Sequence, residues 1–339
     1  MKHLIAIIAL LSTLSSFAQN GLKEGNLFLL QKDNKTISIN GFEQEKIIEK
    51  GTLEINSKSI YETDRQHTVA ILDTATNHLT IHDIHSQQKS EIPLPYNIEA
   101  KCILVNKDNV FIGGIIGREA LIQYNIRSKK WYSLDIPVEL IFPGKAVDDI
   151  LIKDSLLIAI DNIVLPKYAL FYKLNAAEKY SFSHLTELKS NGAYENIHQG
   201  RITDKYFGLL SDTYSGYVGA SWYITIYDGL HLKNSFCIGF NEQNKKKTFF
   251  NDFVIINDNI IIATKEKGLG VLSIKKSYFK EKDEDGLENF NTRINPSLIN
   301  YIGYNNKNII KLTIIPNTNK VVLTIKNRSG GLSHKIVQI

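Results

Sequence analysis

Four stretches of the chain share one design and decide its fold: KCILVNKDNVFIGG (101–114), VDDILIKDSLLIAI (147–160), IHQGRITDKYFGLL (197–210) and NDFVIINDNIIIAT (251–264). In each of them an apolar run meets a short polar turn, and a second apolar run follows. Every turn contains an aspartate, and the intervals between these aspartates are 46, 50 and 54 positions for Asp108, Asp154, Asp204 and Asp258. Since Asp and Asn tolerate the backbone conformations of tight turns, the pattern predicts a β-hairpin that recurs along the chain.

Further strands follow each hairpin. A third apolar run comes after a loop in every repeat, at 120–126, 169–175, 222–228 and 269–275, and a more polar run often follows, as at 130–136 and 234–240. Buried inner strands with a polar outer strand are typical of a propeller blade, and an interval of about 50 residues agrees with that architecture. Residues 59–85 and 309–339 extend the pattern on both sides. The sequence therefore predicts an all-β chain folded as a β-propeller of six blades.

The two ends of the repeat predict how the ring closes. The last unit has three strands, and the segments 26–31 and 36–40 belong to no complete unit. If the N-terminal strand completes the last blade, the ring has no open edge, and we expect this closure. Seven blades are the alternative, in which residues 26–56 form a blade of their own. Residues 19–339 are expected to form this single domain.

The N-terminal segment predicts export. Lys2 and His3 precede the apolar run 4–14, and the residues SFA at 16–18 place small side chains where a signal peptidase reads them. This order is that of a secretory signal, so we expect residues 1–18 to be a signal peptide and the mature protein to be periplasmic or extracellular. A buried N-terminal helix is the alternative. No other run approaches the ~20 apolar residues of a transmembrane helix.

Composition limits the class of protein and its partners. The 339 residues are 43% hydrophobic and 22% charged, which is typical of a folded globular protein. The net charge of +5 is spread along the chain, so no nucleic-acid partner is expected. Cys102 and Cys237 each lie in a strand-like run, where buried thiols are expected and a disulfide is the alternative.

In its blade pattern the chain resembles the broad bacterial β-propeller superfamily, the secreted relatives of quinoprotein-like, NHL-like and WD-repeat propellers. The resemblance covers residues 22–339, but no Trp-Asp dipeptide ends a third strand, and SDTYSG (211–216) matches the sialidase Asp box poorly. It implies the fold and no catalytic residue, because propeller enzymes assemble their sites from single residues on separate blades.

Three residues are candidates for a catalytic site on the axis of the ring. Asp148, His198 and Asp252 each lie six positions before the turn aspartate of their blade, so they should begin three inner strands at similar heights. Two carboxylates and an imidazole could bind a divalent cation or act as general base and acid. Alternatively, they satisfy loop amides at the strand starts. The metal and any cofactor are left open.

A second group of candidates lies in the loops of the same face. Tyr214 and Tyr217 offer rings that stack on sugars or pack against a protein partner. Trp222 and Tyr223 are expected to be core residues instead. Charged residues in the equivalent loops of other blades complete the candidate ligand-binding set: Arg118, Glu119, Lys167 and Arg328.

These patterns favour a secreted or periplasmic binding or interaction module, which contacts a small molecule, a glycan or a protein through one loop face. The alternative is a propeller hydrolase or lyase with an axial Asp/His site, with or without a metal. A purely architectural role is a third hypothesis. The sequence contains no hydrolase, metalloprotease, phosphate-loop or dinucleotide motif, and it leaves the ligand and the oligomeric state open.

Overall fold

A computed structural model describes most of the chain after residue 25. The described residues are 26–95, 99–115, 121–136, 147–161, 167–175, 179–189, 191, 195–215, 219–240, 250–279 and 292–339. For Ile115, Tyr214, Ser215, Gly219, Ala220 and Phe240 the backbone alone is described. Strands dominate these ranges because runs of β-branched and aromatic residues alternate with short turns of Asn, Asp and Gly.

The described strands form seven sheets in chain order, which we number as blades 1 to 7. Blade 1 contains β1 (Phe28–Gln31), β2 (Thr36–Glu43) and β3 (Lys46–Glu54), and blade 2 contains β4 (Ser59–Thr63), β5 (Thr68–Asp73), β6 (His78–Asp83) and β7 (Lys89–Pro93). Blade 3 contains β8 (Glu99–Asn106), β9 (Asn109–Ile115), β10 (Leu121–Asn125) and β11 (Lys130–Ser133). Blade 4 contains β12 (Val147–Lys153), β13 (Leu156–Asp161), β14 (Lys167–Leu174) and β15 (Tyr180–Leu188).

The last three blades contain the remaining strands. Blade 5 contains β16 (Glu195–Ile202), β17 (Tyr206–Ser215), β18 (Gly219–Asp228) and β19 (Ser235–Phe240), and β23 (Thr292–Ile294) pairs with β19 in parallel. Blade 6 contains β20 (Phe250–Ile256), β21 (Asn259–Thr264), β22 (Leu269–Ser273) and β24 (Asn300–Tyr301). Blade 7 contains β25 (Asn308–Ile314), β26 (Lys320–Lys326) and β27 (Leu332–Gln338). Two 3₁₀ helices, Lys276–Phe279 and Pro296–Leu298, connect blades 5 and 6. In the described ranges no helix is long and apolar enough to cross a membrane.

The seven blades form a closed ring. The innermost strand of each blade contacts the innermost strands of both neighbours, in the order β1, β4, β8, β12, β16, β20 and β25, and β25 contacts β1 again. This radial arrangement of small sheets confirms the predicted β-propeller. The expected number of six blades is wrong, because residues of β1, β2 and β3 pair with one another and form a blade of their own.

Blades 1 and 7 close the ring through side chains in the described part of the chain. Phe28 and Leu30 of β1 pack against Ile315 and Val322 of blade 7. The expected closure by a shared strand is therefore wrong for the described residues: β1 uses its backbone groups on β2, and blade 7 ends with three strands. Lys320 adds an ion pair with Glu45 across the same junction.

Five of the inner strands contain a β-bulge near their start. The strand register shifts by one residue in β8, β12, β16, β20 and β25, where the extra residues are Lys101, Asp148, His198, Asn251 and Ile310. A bulge bends the strand and turns neighbouring side chains away from simple alternation. These bulges lie on the side of the ring where the inner strands begin, which also carries the loops between second and third strands. We call this side the loop face.

The two cysteines are buried and free, as expected. Cys102 lies at the junction of blades 3 and 4, where its thiol donates to the main-chain oxygen of Val147 at 3.6 Å. Burial raises the pKa of both thiols, that of Cys237 to about 12, so neither thiol is placed for redox chemistry.

Candidate functional site

The bulges decide where the predicted axial residues lie. Asp148 is the extra residue of the bulge in blade 4, but in blade 6 the extra residue is Asn251 and Asp252 follows it. The difference arises in the hairpin turns, because Asp154 is the first residue of its turn and Asp258 is the second. Counting six positions back from the turn aspartates therefore does not reach equivalent positions in the two blades.

Asp252 joins three blades through hydrogen bonds. Its Oδ1 accepts from the backbone N–H of Phe253 at 2.7 Å and from Arg201 of blade 5 at 3.0 Å. Its Oδ2 accepts from the backbone N–H of Leu312 in blade 7 at 2.8 Å. The carboxylate is only 4% exposed. A buried carboxylate with three donors stabilises the junction between blades, which is the structural role that the sequence left open.

Asp148 and His198 have separate partners. Oδ1 of Asp148 lies 2.7 Å from Nζ of Lys101, the bulge residue of the preceding blade. Nε2 of His198 lies 2.9 Å from Oδ1 of Asp212 in its own blade. No contact that the structure describes joins any two of the three predicted residues. In the same described ranges, no three His, Cys, Asp or Glu side chains are placed to hold a metal ion.

His198 is the most accessible of the three predicted residues. Its side chain is 42% exposed, and its ring stacks on the half-buried Trp222 with 5.0 Å between ring centroids. Asp212 can orient the imidazole through this hydrogen bond, which is the arrangement of a His–Asp pair. Trp222, expected in the core, is therefore shared between the core and the surface, whereas Tyr223 is buried as expected.

The predicted loop residues are dispersed. Lys167 is the first residue of β14 rather than a loop residue, is 1% exposed, and donates to the main-chain oxygen of Glu195. Burial lowers its pKa, an effect that the charge of Glu195 opposes. Arg328 is exposed in the turn between β26 and β27. The backbone of Tyr214 lies in β17, and the remaining residues lie outside the described ranges: Arg118, Glu119 and Tyr217.

A cavity occupies the axis of the ring. It has a volume of about 490 Å³ and is lined by residues at or beside the inner strands of all seven blades. Its charged lining side chains are Glu62, Asp64, Arg65, Asp149, Arg201 and Lys311. A cavity of this size, with a few charged groups in a partly apolar wall, is the usual form of a small-molecule site.

Asp149 is the acidic group of this wall with a perturbed pKa. It occupies the position in blade 4 that Asp252 occupies in blade 6, and its Oδ2 accepts from the backbone N–H of Gly200 at 2.5 Å. Burial raises its pKa to about 6; the hydrogen bond from Gly200 and the charge of Arg201 oppose this shift, and the charge of Glu62 adds to it. A shifted carboxyl in a cavity is a candidate functional group.

Two further charged residues, Glu62 and Lys311, line the cavity. Nζ of Lys311 lies 5.4 Å from the ring centroid of Tyr61, and Glu62 is the next residue along β4. Burial, together with the charge of Glu62, raises the pKa of Tyr61 to about 12. The cavity wall therefore contains carboxylates, an ammonium group and an aromatic ring, with the ammonium group beside the ring.

Sequence reasoning missed this group of residues. The one available signal was the pair Asp148–Asp149, because a bulge at the first aspartate brings the second to the cavity. Nothing in the blade pattern distinguishes Glu62 or Lys311 from the other charged residues of inner strands. Lys311 of blade 7 meets Tyr61 of blade 2 only because the ring brings these two blades close together.

Solved structures confirm the architecture. Hydrazine synthase from Kuenenia stuttgartiensis superposes with a TM-score of 0.62 at 10% identity, over 95% of this chain and 98% of that chain. The chain is a β-propeller. The β-propeller domain of Myceliophteria thermophila Cps50 (Swd1) is also similar, with a TM-score of 0.58 at 10% identity over 93% of this chain and 94% of that chain. YCF48 bound to D1 peptide superposes with a TM-score of 0.53 at 11% identity, over 93% of this chain and 91% of that chain.

Sequence comparisons add no family to this fold. No protein-family model matches the chain, and no curated protein matches it either. Identities near 10% show a common architecture alone, so the candidate function must be argued from the site.

Proposed function

We propose that this chain is an exported β-propeller that works as a binding module, with its ligand in the axial cavity entered from the loop face. The observation that carries the proposal is the cavity itself, which has a volume of about 490 Å³ and a wall supplied by all seven inner strands. Pockets of ~300–1,000 Å³ are typical of small-molecule sites. Export is supported by the order of charged, apolar and small residues in residues 1–18.

Rigid surroundings support binding in this place. The cavity residues belong to inner strands that are tied to their neighbours by hydrogen bonds between blades, such as those from Gly200 to Asp149 and from Leu312 to Asp252. Side chains on such strands are held in place before a ligand arrives, which lowers the conformational entropy lost on binding.

The cavity can be blocked to test the proposal. Thr313 lines it on the same face of β25 as Lys311 and makes no side-chain hydrogen bond in the described ranges, so Thr313→Trp should fill the cavity. Thr52→Trp, at an exposed position of the outer strand β3, is the matched control. We expect compounds from a library of charged, metabolite-sized molecules to raise the melting temperature of the wild type and the control but not of Thr313→Trp. Compounds that stabilise all three proteins equally would contradict the proposal.

A hydrolase or lyase is the second candidate function, favoured by the exposed His198 paired with Asp212 at 2.9 Å. If His198 is a general base, His198→Ala should lower turnover of a panel of lactones, aryl esters and aryl glycosides about 100-fold or more. His231→Ala, at another exposed histidine of the same blade, should leave turnover unchanged. Equal rates for the two variants would remove this candidate.

A further inference from the structure

Strand β1 runs in the opposite direction from the inner strands on either side of it. The N–H of Leu27, at the start of β1, donates to the main-chain oxygen of Arg65, just after the end of β4, at 3.1 Å. Asn26 accepts a hydrogen bond from Asn317, just after the end of β25, at 2.9 Å. In the other blades the second strand runs antiparallel to the innermost first strand, so β1 has the direction of a second strand.

Packing also places β1 in the row of second strands. Leu29 shares a buried cluster with Val69 of β5, and Phe28 shares one with Val322 of β26. Strands β5 and β26 are the second strands of blades 2 and 7. Among the described residues no strand precedes β1, so the position of a first strand in blade 1, between β25 and β4, has no strand in it. Residues of β1, β4 and β25 line the axial cavity around this position.

The edge of β1 beside this position has main-chain groups without partners. The N–H of Lys32 donates to the oxygen of Thr36, which sets the hydrogen-bond pattern between β1 and β2, so Leu29 directs its N–H and C=O away from β2. Leu27, two residues earlier, likewise directs its N–H to Arg65. In the described part of the chain neither main-chain group of Leu29 has a hydrogen-bond partner, although the residue is only 7% exposed. Buried main-chain groups without partners are unfavourable, and an extended peptide backbone supplies such partners.

Two hydrogen-bond donors on β25 flank the same position. Lys311 and Thr313 share the face of β25 that is continued by Ile315, which packs against Phe28 of β1. In the described ranges the exposed ammonium group of Lys311 has no ion-pair partner, and the buried hydroxyl of Thr313 has no hydrogen-bond partner. Nζ of Lys311 lies 5.4 Å from the ring centroid of Tyr61 on β4, a contact that is weak at an exposed site. An acidic side chain on an entering strand can accept from either donor.

We propose that an extended segment of a partner protein adds to β1 in the position of a first strand of blade 1, with an acidic side chain toward Lys311 and Thr313. This inference rests on the proposed binding function and names its ligand class. The added strand enters from the loop face, runs antiparallel to β1 and completes the ring of inner strands. A segment of seven residues matches the length of β25, which lies beside it.

Isothermal titration calorimetry with synthetic peptides tests the added strand. The probes are peptides of about seven residues in which Val or Ile alternates with Thr and one Thr is replaced by Asp, and we expect at least one of them to bind. The tightest binder is then N-methylated at alternate residues, in one version at the odd positions and in another at the even positions. One version should bind at least about tenfold more weakly and the other like the parent, because only one edge of the peptide pairs with β1. Equal binding of all three peptides would overturn strand addition.

A charge reversal tests the location. The wild type should prefer the peptide with Asp to its counterpart with Lys by about tenfold or more, and Lys311→Glu should reverse this preference. Lys335→Glu is the matched control, since Lys335 lies on the outer strand β27 with its ammonium group 5.7 Å from the ring of Tyr304, and it should keep the preference of the wild type. An unchanged preference in Lys311→Glu would overturn the proposed position.

The competing occupant is the chain's own segment 19–25, which precedes β1. If a chain that begins at Asn26 binds the peptides and a chain that begins at Gln19 does not, this segment holds the position and the partner is overturned. Equal binding by the two chains supports the partner.

The failure of this inference and the failure of the binding function give different results. If no peptide binds, but library compounds bind the wild type and not Thr313→Trp, the added strand is wrong and the binding function remains. If peptides bind Thr313→Trp as tightly as the wild type, the position beside β25 is wrong. If neither peptides nor library compounds bind, both proposals are overturned.

Discussion

Asp149 and Asp252 show how equivalent residues acquire different chemistry from their surroundings. Both follow the start of an inner strand, and each accepts the backbone N–H of the next residue and one from the following blade. Asp252 has Arg201 as an ion-pair partner at 3.0 Å. Asp149 lines the axial cavity, and its pKa is raised to about 6 by burial, with a smaller effect of the charge of Glu62. Burial without a direct cationic partner disfavours its charged form.

This difference predicts a pH-dependent stability. The pKa of Asp149 is higher in the folded chain, at about 6, than its model value of 3.8. The folded state therefore binds this proton more tightly than the unfolded state does, and the associated stability is present at low pH and is lost as the pH rises from about 4 to about 6. Relative to Asp149→Asn, the wild type should become less stable across this range, measured as the midpoint of urea unfolding.

Asp154→Asn is the control for this measurement, since Asp154 is an exposed turn residue of the same blade. Its difference from the wild type should stay constant over the same pH range. If the difference in unfolding midpoint between Asp149→Asn and the wild type also stayed constant with pH, the raised pKa of Asp149 would be contradicted.

At the scale of the strand, the hairpins were predicted correctly. The expectation that Asp148, His198 and Asp252 occupy equivalent positions along their inner strands was wrong. The pairs β8–β9, β12–β13, β16–β17 and β20–β21 are the four predicted hairpins. Sequence predicts them because apolar runs and turn residues act locally. The bulges have no comparable local signal in this chain, and a shift of one residue sends a side chain to the other face of a strand.

The strand starts also explain why the predicted axial group is dispersed. Asp148 is paired with Lys101 of blade 3, and Asp252 with Arg201 of blade 5. These polar residues satisfy charges and amides between blades, which is the structural role that the sequence alone could not distinguish from a catalytic one. The accessible group is His198 with Asp212, which lie close together because β16 pairs with β17.

For the whole molecule, the junction between blades 1 and 7 differs from a propeller closed by a shared strand. In the described residues, side-chain packing joins the two blades, centred on Phe28, Leu30, Ile315 and Val322. Asn317 adds one hydrogen bond to Asn26 at 2.9 Å. The chain runs directly from each of blades 1 to 6 into the next blade, whereas in the described part of the ring blades 7 and 1 are joined by side chains alone, so we expect this junction to open before the others.

Ile315→Ala tests this expectation. Ile315 is fully buried in the junction, so its truncation should cost about 2–5 kcal/mol of unfolding free energy. It should also speed amide hydrogen exchange in β1 and β25 more than in the strands of blades 3 and 4. Ile336→Ala, at a position that is 37% exposed, should have little effect on either measurement. A uniform increase in exchange across all blades would contradict preferential opening at this junction.

The sequence by itself determined the class of the fold, because recurring apolar runs and turn residues form hairpins through local interactions. Packing these small sheets in a ring then buries their apolar faces. It also predicted that both thiols are buried. Only the tertiary structure decided the number of blades, the packing that closes the ring, and the identity of the residues around the axis. These depend on strand register and on contacts between blades far apart in the chain, such as Lys311 against Tyr61, for which no local pattern exists.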